Sequence, residues 1–201
     1  AQLLLGTMYA NGYGVTQDDG KAAEWYRKAA AQGNAIAQTR IGKMYLRGAG
    51  VTQDYAEGVK WFRKATEEGD AEAQSALGLM YLEGKGVTQD YAEAVKWFRK
   101  AAEQGDAEAQ AGLGLFYYAG KGVTQDYAEA YFWYSLSATQ GLKDIVPDRD
   151  NTAEKLTANQ LSKVNRRINE WRPRKSKPVT SVTSQRPETP STVSPRQPVA
   201  P

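Results

Sequence analysis

The 201-residue chain contains no cysteine and no histidine. Those two absences remove Cys- and His-based metal sites, thiol nucleophiles and every triad that uses His as its base. Without cysteine the redox compartment also cannot be read, because cytosolic and exported proteins can both lack it. Proline is missing from residues 1–146, so no pyrrolidine ring interrupts a helix there. No apolar run approaches the roughly 20 residues that cross a bilayer, and no transmembrane segment is expected. A basic excess is missing as well: residues 1–171 carry 20 Lys+Arg against 22 Asp+Glu. That near-balance lacks the electrostatic footprint of a nucleic-acid binder.

The overall charge of +3 comes from residues 172–201, which carry 6 basic and 1 acidic residue. This stretch has no aromatic residue and holds seven of the eight prolines. It cannot bury enough apolar surface to offset its chain entropy, so residues 173–201 are expected to be a disordered basic tail or tether. No signal peptide is visible, and the compartment stays open between cytoplasmic and periplasmic or secreted. The chain starts Ala1-Gln2-Leu3-Leu4-Leu5 with no cap residue ahead of a helical pattern. The reading expects at least one further unit upstream.

What the sequence does have is a repeat. Gly-Val-Thr-Gln-Asp occurs at 14–18, 50–54, 86–90 and 122–126, each 36 residues after the last. Trp25, Trp61, Trp97 and Trp133 keep the same period, as do Tyr9, Tyr45, Tyr81 and Tyr117. Such a period indicates stacked supersecondary units. In the third unit a first helix is expected over about 73–82, ended at Gly84, where a residue without Cβ takes the left-handed conformation easily. Asp90 then caps a second helix over about 91–103, with Glu93 completing an Asp-x-x-Glu capping box. Tyr91, Val95, Phe98 and Ala102 form its apolar stripe. Gly6, Gly42, Gly78 and Gly114 stand inside the first helices at a cost of about 1 kcal/mol each against Ala. Their common register implies close helix–helix approach, with Trp and Tyr rings filling the space left by small residues.

The pattern Ala-x-x-x-Leu-Gly-x-Met-Tyr-x-x-Gly-x-Gly-Val-x-x-Asp-x-x-x-Ala-x-x-Trp-x-x-x-Ala-x-x-Gly, running through residues 73–105, resembles the Sel1-like repeat, a relative of the tetratricopeptide repeat. Residues 1–33, 37–69 and 109–141 follow it with small departures. The resemblance implies an all-α fold, a right-handed superhelical solenoid of antiparallel helix pairs with first helices lining a concave face. It also implies an adaptor that binds proteins in larger complexes, with no shared catalytic residues. Four units are expected at about 1–36, 37–72, 73–108 and 109–143.

The fourth unit departs from its neighbours. Phe132, Ser135 and Leu136 replace the outward Lys96, Arg99 and Lys100 of the third. An array end with a new apolar face needs a cover. Leu161, Val164, Ile168 and Trp171 supply a matching stripe behind a Thr157/Gln160 capping box, so capping helices are expected within 144–172, the last over 158–171. The alternative is that Phe132 and Leu136 form an exposed dimer surface.

Comparing the four copies separates scaffold from specificity. On the first helix, positions equivalent to 73, 74, 77, 78, 80 and 81 hardly change, whereas those equivalent to 75, 76, 79, 82 and 83 vary and share one face. The varying row is expected to face solvent or a partner. Its candidate binding residues are Arg40, Lys43, Leu46 and Arg47, a basic stretch, followed by apolar Leu79, Leu82, Leu115 and Tyr118. The expected ligand is a protein or peptide, acidic at one end and apolar at the other, with no cofactor. Gly112 would leave room for a bulky partner side chain.

An enzyme is the competing class. Ser-x-x-Lys, Lys-Thr-Gly and Gly-x-Ser-x-Gly are all absent, which removes the serine motifs of cell-wall-directed enzymes and α/β-hydrolases. The run from Gly114 to Gly120-Lys121-Gly122 resembles a phosphate loop, but its spacing is one residue too long and no Ser or Thr follows the Lys. Asp90 and Glu93 recur as helix caps, which already explains them. No enzyme is expected. A third class, a structural spacer or self-association module, would show itself by concentration-dependent assembly.

Overall fold

The computed structural model describes residues 1–174, and these form an all-helical stack. Four helix pairs come first: α1 (Gln2–Asn11) with α2 (Asp19–Ala31), α3 (Ala35–Arg47) with α4 (Tyr55–Glu67), α5 (Ala71–Glu83) with α6 (Tyr91–Glu103), and α7 (Ala107–Ala119) with α8 (Tyr127–Thr139). A short 3-10 turn (Lys143–Ile145), α9 (Val146–Ala153) and α10 (Ala158–Glu170) follow. Each of α1 to α8 packs on the next in sequence, within a pair and between pairs, so the fold is a solenoid, and α9 and α10 both pack on α8. The tail expected over 173–201 lies outside the described residues from 175 onward.

Every residue of the repeated pentapeptide except its Thr has an assignable duty. In the third unit Gly86 has φ +70°. A Cβ there would lie 2.5 Å from the Tyr55 carbonyl carbon at the start of α4. Gly86 is therefore both a left-handed turn and a seat for the preceding unit. Val87 packs into the core beside Phe62 and Leu77. Gln89 Nε2 donates to the Leu82 carbonyl at 2.7 Å, which satisfies an orphan acceptor at the end of α5. Asp90 accepts from the Ala92 and Glu93 amides.

The expected Asp-x-x-Glu box forms by half only. The Asp90 amide donates to the Tyr81 carbonyl at 3.0 Å, so it is not free for Glu93. Glu93 instead pairs with Lys96 at 2.9 Å, as Glu57 does with Lys60. The reciprocal box appears at Thr157/Gln160, as expected.

The helix-interior glycines have the expected cause, and Tyr rings meet Gly6 and Gly114 as expected, but Phe rings rather than Trp meet Gly42 and Gly78. A Cβ on Gly78 would stand 3.1 Å from the Phe98 ring, one on Gly42 2.8 Å from Phe62, and one on Gly114 2.5 Å from Tyr134. The rings over the glycines are therefore those following each Trp, on the second helix of the same pair. Tyr45, Tyr81 and Tyr117 lie at the helix–helix seam, where their hydroxyls accept from Arg27, Arg63 and Arg99.

The cap closes the far end. Phe132 and Leu136 are buried in one cluster with Val164, flanked by Ile168 and Trp171. Arg167 stacks 3.8 Å from the Phe132 ring centroid and pairs with Glu129. The exposed dimer surface considered for Phe132 and Leu136 is thereby excluded: the chain's own helices cover it.

Candidate functional site

Four first helices at one register give three junctions between neighbouring units. Clefts open along the first helices at the α1–α3 and α5–α7 junctions, lined in part by residues that differ between copies.

The cleft between α5 and α7 has a volume of about 250 Å³. From α5 come Ser75, Leu79 and Leu82, spaced i, i+4, i+7; from α7 come Glu108, Gly112, Leu115, Phe116 and Ala119. Phe98 of α6 also lines it, behind Gly112, where a Cβ would meet the ring at 3.4 Å. The lining is almost wholly apolar. Leu79 is 40% exposed and Leu115 57% exposed, and together they line one apolar cleft rather than standing singly.

Polarity enters at the two ends of α7. Glu108 sits in its first turn and Lys121 just beyond its last. Lys121 lies 5.8 Å from the Tyr91 ring centroid. Asp106 caps α7 by accepting from the Ala109 amide at 2.7 Å. Burial raises its carboxyl above the ordinary value despite that hydrogen bond, and the charges of Glu108 and Glu72 push the same way. Asp106, Glu108 and Glu72 thus lie near one another at the start of α7, with Lys43 acting against their charge.

The cleft between α1 and α3 differs. It has a volume of about 510 Å³ and is lined by Arg40, Lys43 and Arg47 together with Leu3, Thr7, Tyr26 and Ile36, among others. Two of its three cations are already engaged: Arg40 lies 3.5 Å from Glu72, and Lys43 binds the same carboxylate. A single carboxylate of the next unit thus engages two of the three cations, and the stretch keeps an excess of positive charge.

Of the eight candidates, Leu79, Leu82 and Leu115 come together in one cleft, and Arg40, Lys43 and Arg47 in the other. Leu46 and Tyr118 do neither. Leu46 presses on Gly58 of its own helix pair and joins the core beside Phe62. Tyr118 packs edge-on against Tyr127, ring centroids 5.5 Å apart. The varying row is also less open than expected: Thr39, Ser75 and Ala76 are buried, and the Thr39 hydroxyl donates to Asp70 at 3.0 Å. These positions vary although they are largely withdrawn from solvent. Sequence comparison missed Glu108, Phe98 and Phe116. Glu108 was visible as the partner in register of Ile36 and Glu72, a varying position one turn before the row considered.

Among the described residues no group of three or more Asp or Glu is placed to hold a metal ion, and no helix is long and apolar enough to cross a membrane.

Set beside known proteins, residues 1–34, 35–70, 71–106 and 107–142 each match the family model for the Sel1 repeat. The chain belongs to the Sel1 repeat family. Members of this family generally serve as protein–protein interaction scaffolds. The chain is similar in structure to a protective antigen of uropathogenic Escherichia coli strains with an SLR fold, at 49% identity and a TM-score of 0.68, over 70% of this chain and 30% of that one. A Sel1 repeat protein from Oxalobacter formigenes gives 42% identity and a TM-score of 0.68, over 72% of this chain and 59% of that one. Cysteine-rich protein B of Helicobacter pylori gives 25% identity and a TM-score of 0.51, over 64% of this chain and 92% of that one. The chain thus spans less than two thirds of the first two proteins. No curated protein matches it. The cysteine-free Sel1 stack here follows the fold of a cysteine-rich protein, so the small-residue and aromatic seams, with their caps, hold it together.

Proposed function

We propose that this Sel1 repeat chain is a non-catalytic adaptor that captures a peptide segment of a partner protein along its first helices, chiefly at the α5–α7 cleft. The observation that carries the reading is the pairing of Leu79 and Leu115, both well exposed, across an apolar cleft backed by Phe98. Burying such a patch against a partner is favourable at about 25 cal/mol per Å² of apolar surface, and apolar pockets with aromatic walls are where binding energy concentrates. The repeated caps and turns are used in folding, whereas Leu79 and Leu115 are exposed to solvent at this junction.

The test is a selection from a displayed random-peptide library on the immobilised protein, followed by anisotropy titration of the best peptides. Leu79→Asp combined with Leu115→Asp should weaken them more than tenfold while circular dichroism keeps its helical amplitude. Unchanged affinity in the folded double variant rejects the cleft as the site. Light scattering tests the spacer reading separately, because self-association would make the apparent mass rise with concentration.

A further inference from the structure

The two junctions on either side of α5 share a backbone but not a charge plan. Glu72 stands at the start of α5 and reaches back to Arg40 and Lys43 of α3. One repeat later Glu108 stands at the same register of α7. The registers of Arg40 and Lys43 are now held by Ala76 and Leu79, one buried and one exposed. Neither can compensate a carboxylate, and among the described residues Glu108 has no ion-pair partner. The cleft therefore presents an apolar floor with an uncompensated negative charge at one end. Asp106 stands beside it at the start of α7, where the Glu108 charge disfavours the ionisation of Asp106.

Resting on the proposed capture role, we infer that the cleft selects a partner segment carrying one large apolar side chain and, next to it, a lysine or arginine placed to meet Glu108. The apolar side chain enters between Leu79 and Leu115 and lies over Phe98 through the gap left by Gly112. The cation lies toward the N-terminal end of α7, which also fixes the direction in which the segment runs. Lys121, about 20 Å away along α7 at 1.5 Å per residue, repels a cation at the other end. The requirement is opposite to a search for acidic ligands on the basic stretch, where Glu72 already occupies two of the cations.

The experiment runs the same displayed library in parallel on the wild type, on Glu108→Lys and on Leu115→Asp. The wild type should enrich peptides with an aromatic or Leu-sized residue flanked by Lys or Arg on one side. Glu108→Lys should keep the apolar anchor but exchange the flanking Lys or Arg for Asp or Glu, with about three- to fivefold weaker binding of the wild-type peptides, as an exposed pair predicts. That loss should vanish at high salt, where exposed pairs are screened. Leu115→Asp should enrich nothing in common with the wild type. If Glu108→Lys returns the same flanking charge as the wild type, the cation requirement is wrong even though the cleft binds. If Leu115→Asp returns the wild-type peptides, the capture site itself is wrong.

Discussion

The junction between the second and third units and the junction between the third and fourth are built from the same parts. Each seats a glycine on the backbone of the preceding helix pair, Gly86 on Tyr55 and Gly122 on Tyr91. Each sinks a phenylalanine over a helix-interior glycine, Phe62 over Gly42 and Phe98 over Gly78. They differ at the first-helix row. At one, Glu72 pairs with Arg40 and Lys43 of the preceding unit; at the other, the registers of those cations hold Ala76 and Leu79, Glu108 has no ion pair among the described residues, and an apolar cleft lies open. The comparison teaches that the repeat fixes the stacking while a few unconstrained positions decide whether a junction is filled from within or left for a partner.

Replacing the buried ring at each junction should break the comparison most clearly. Phe62→Ala and Phe98→Ala should each cost about 3–5 kcal/mol, as large-to-small core changes do, read by urea or thermal unfolding. In material kept folded at low temperature, only Phe98→Ala should also lose peptide binding, because only Phe98 lines the open cleft. Equal loss of binding by both would mean that stack integrity, not the cleft, governs capture.

A smaller effect of opposite sign is expected at Gly112. A Cβ there meets Phe98 at an ordinary 3.4 Å, and the preceding unit already carries Ala76 in register. Gly112→Ala should raise stability by about 0.5–1 kcal/mol through helix propensity. It should weaken binding of peptides with the largest anchors by shallowing the floor. A gain in both stability and affinity would place the anchor elsewhere.

The smallest effect concerns Asp106. Its folded carboxyl titrates above the ordinary aspartate value because it is buried near Glu108 and Glu72. Ionisation is thus less favourable in the folded chain than in the unfolded one. The associated stability is complete below the ordinary value and is lost as pH rises through the folded one. Asp106→Asn keeps an acceptor for the Ala109 amide, since Asn caps about as well as Asp. It should be at least as stable as the wild type at pH 7, with any advantage disappearing as pH falls into the aspartate range. Thermal melts across pH 3–8 measure this. A variant clearly less stable at neutral pH would contradict the assignment of strain to that charge.

Much of the fold was legible because the repeat writes it four times. Period, caps, terminating glycines and the apolar stripe of α10 all follow from local rules, and a local rule repeated in register is hard to misread. The failures came where a residue's surroundings depend on the neighbouring unit. Glu93 looked like half of a reciprocal cap, but the Asp90 amide is taken by the Tyr81 carbonyl of the other helix in the pair. Leu46 and Tyr118 share a face with Leu82 by helical spacing. Yet Leu46 fills the hollow over Gly58 and Tyr118 meets Tyr127, because the second helix of each pair offers a different partner. The basic stretch reads as free cations, but Glu72, supplied by the next repeat, pairs with Arg40 and Lys43. Spacing locates a face; only the stack says what already stands against it.

The most direct measurement is a methyl NMR titration of the leucine-labelled protein with a peptide selected on the wild type. Leu79, Leu82 and Leu115 should shift together and saturate with the binding curve while Leu46, partly buried against Gly58, stays still. Saturable binding that moves Leu46 or the methyls of the α10 cap and leaves Leu79 and Leu115 in place would contradict it.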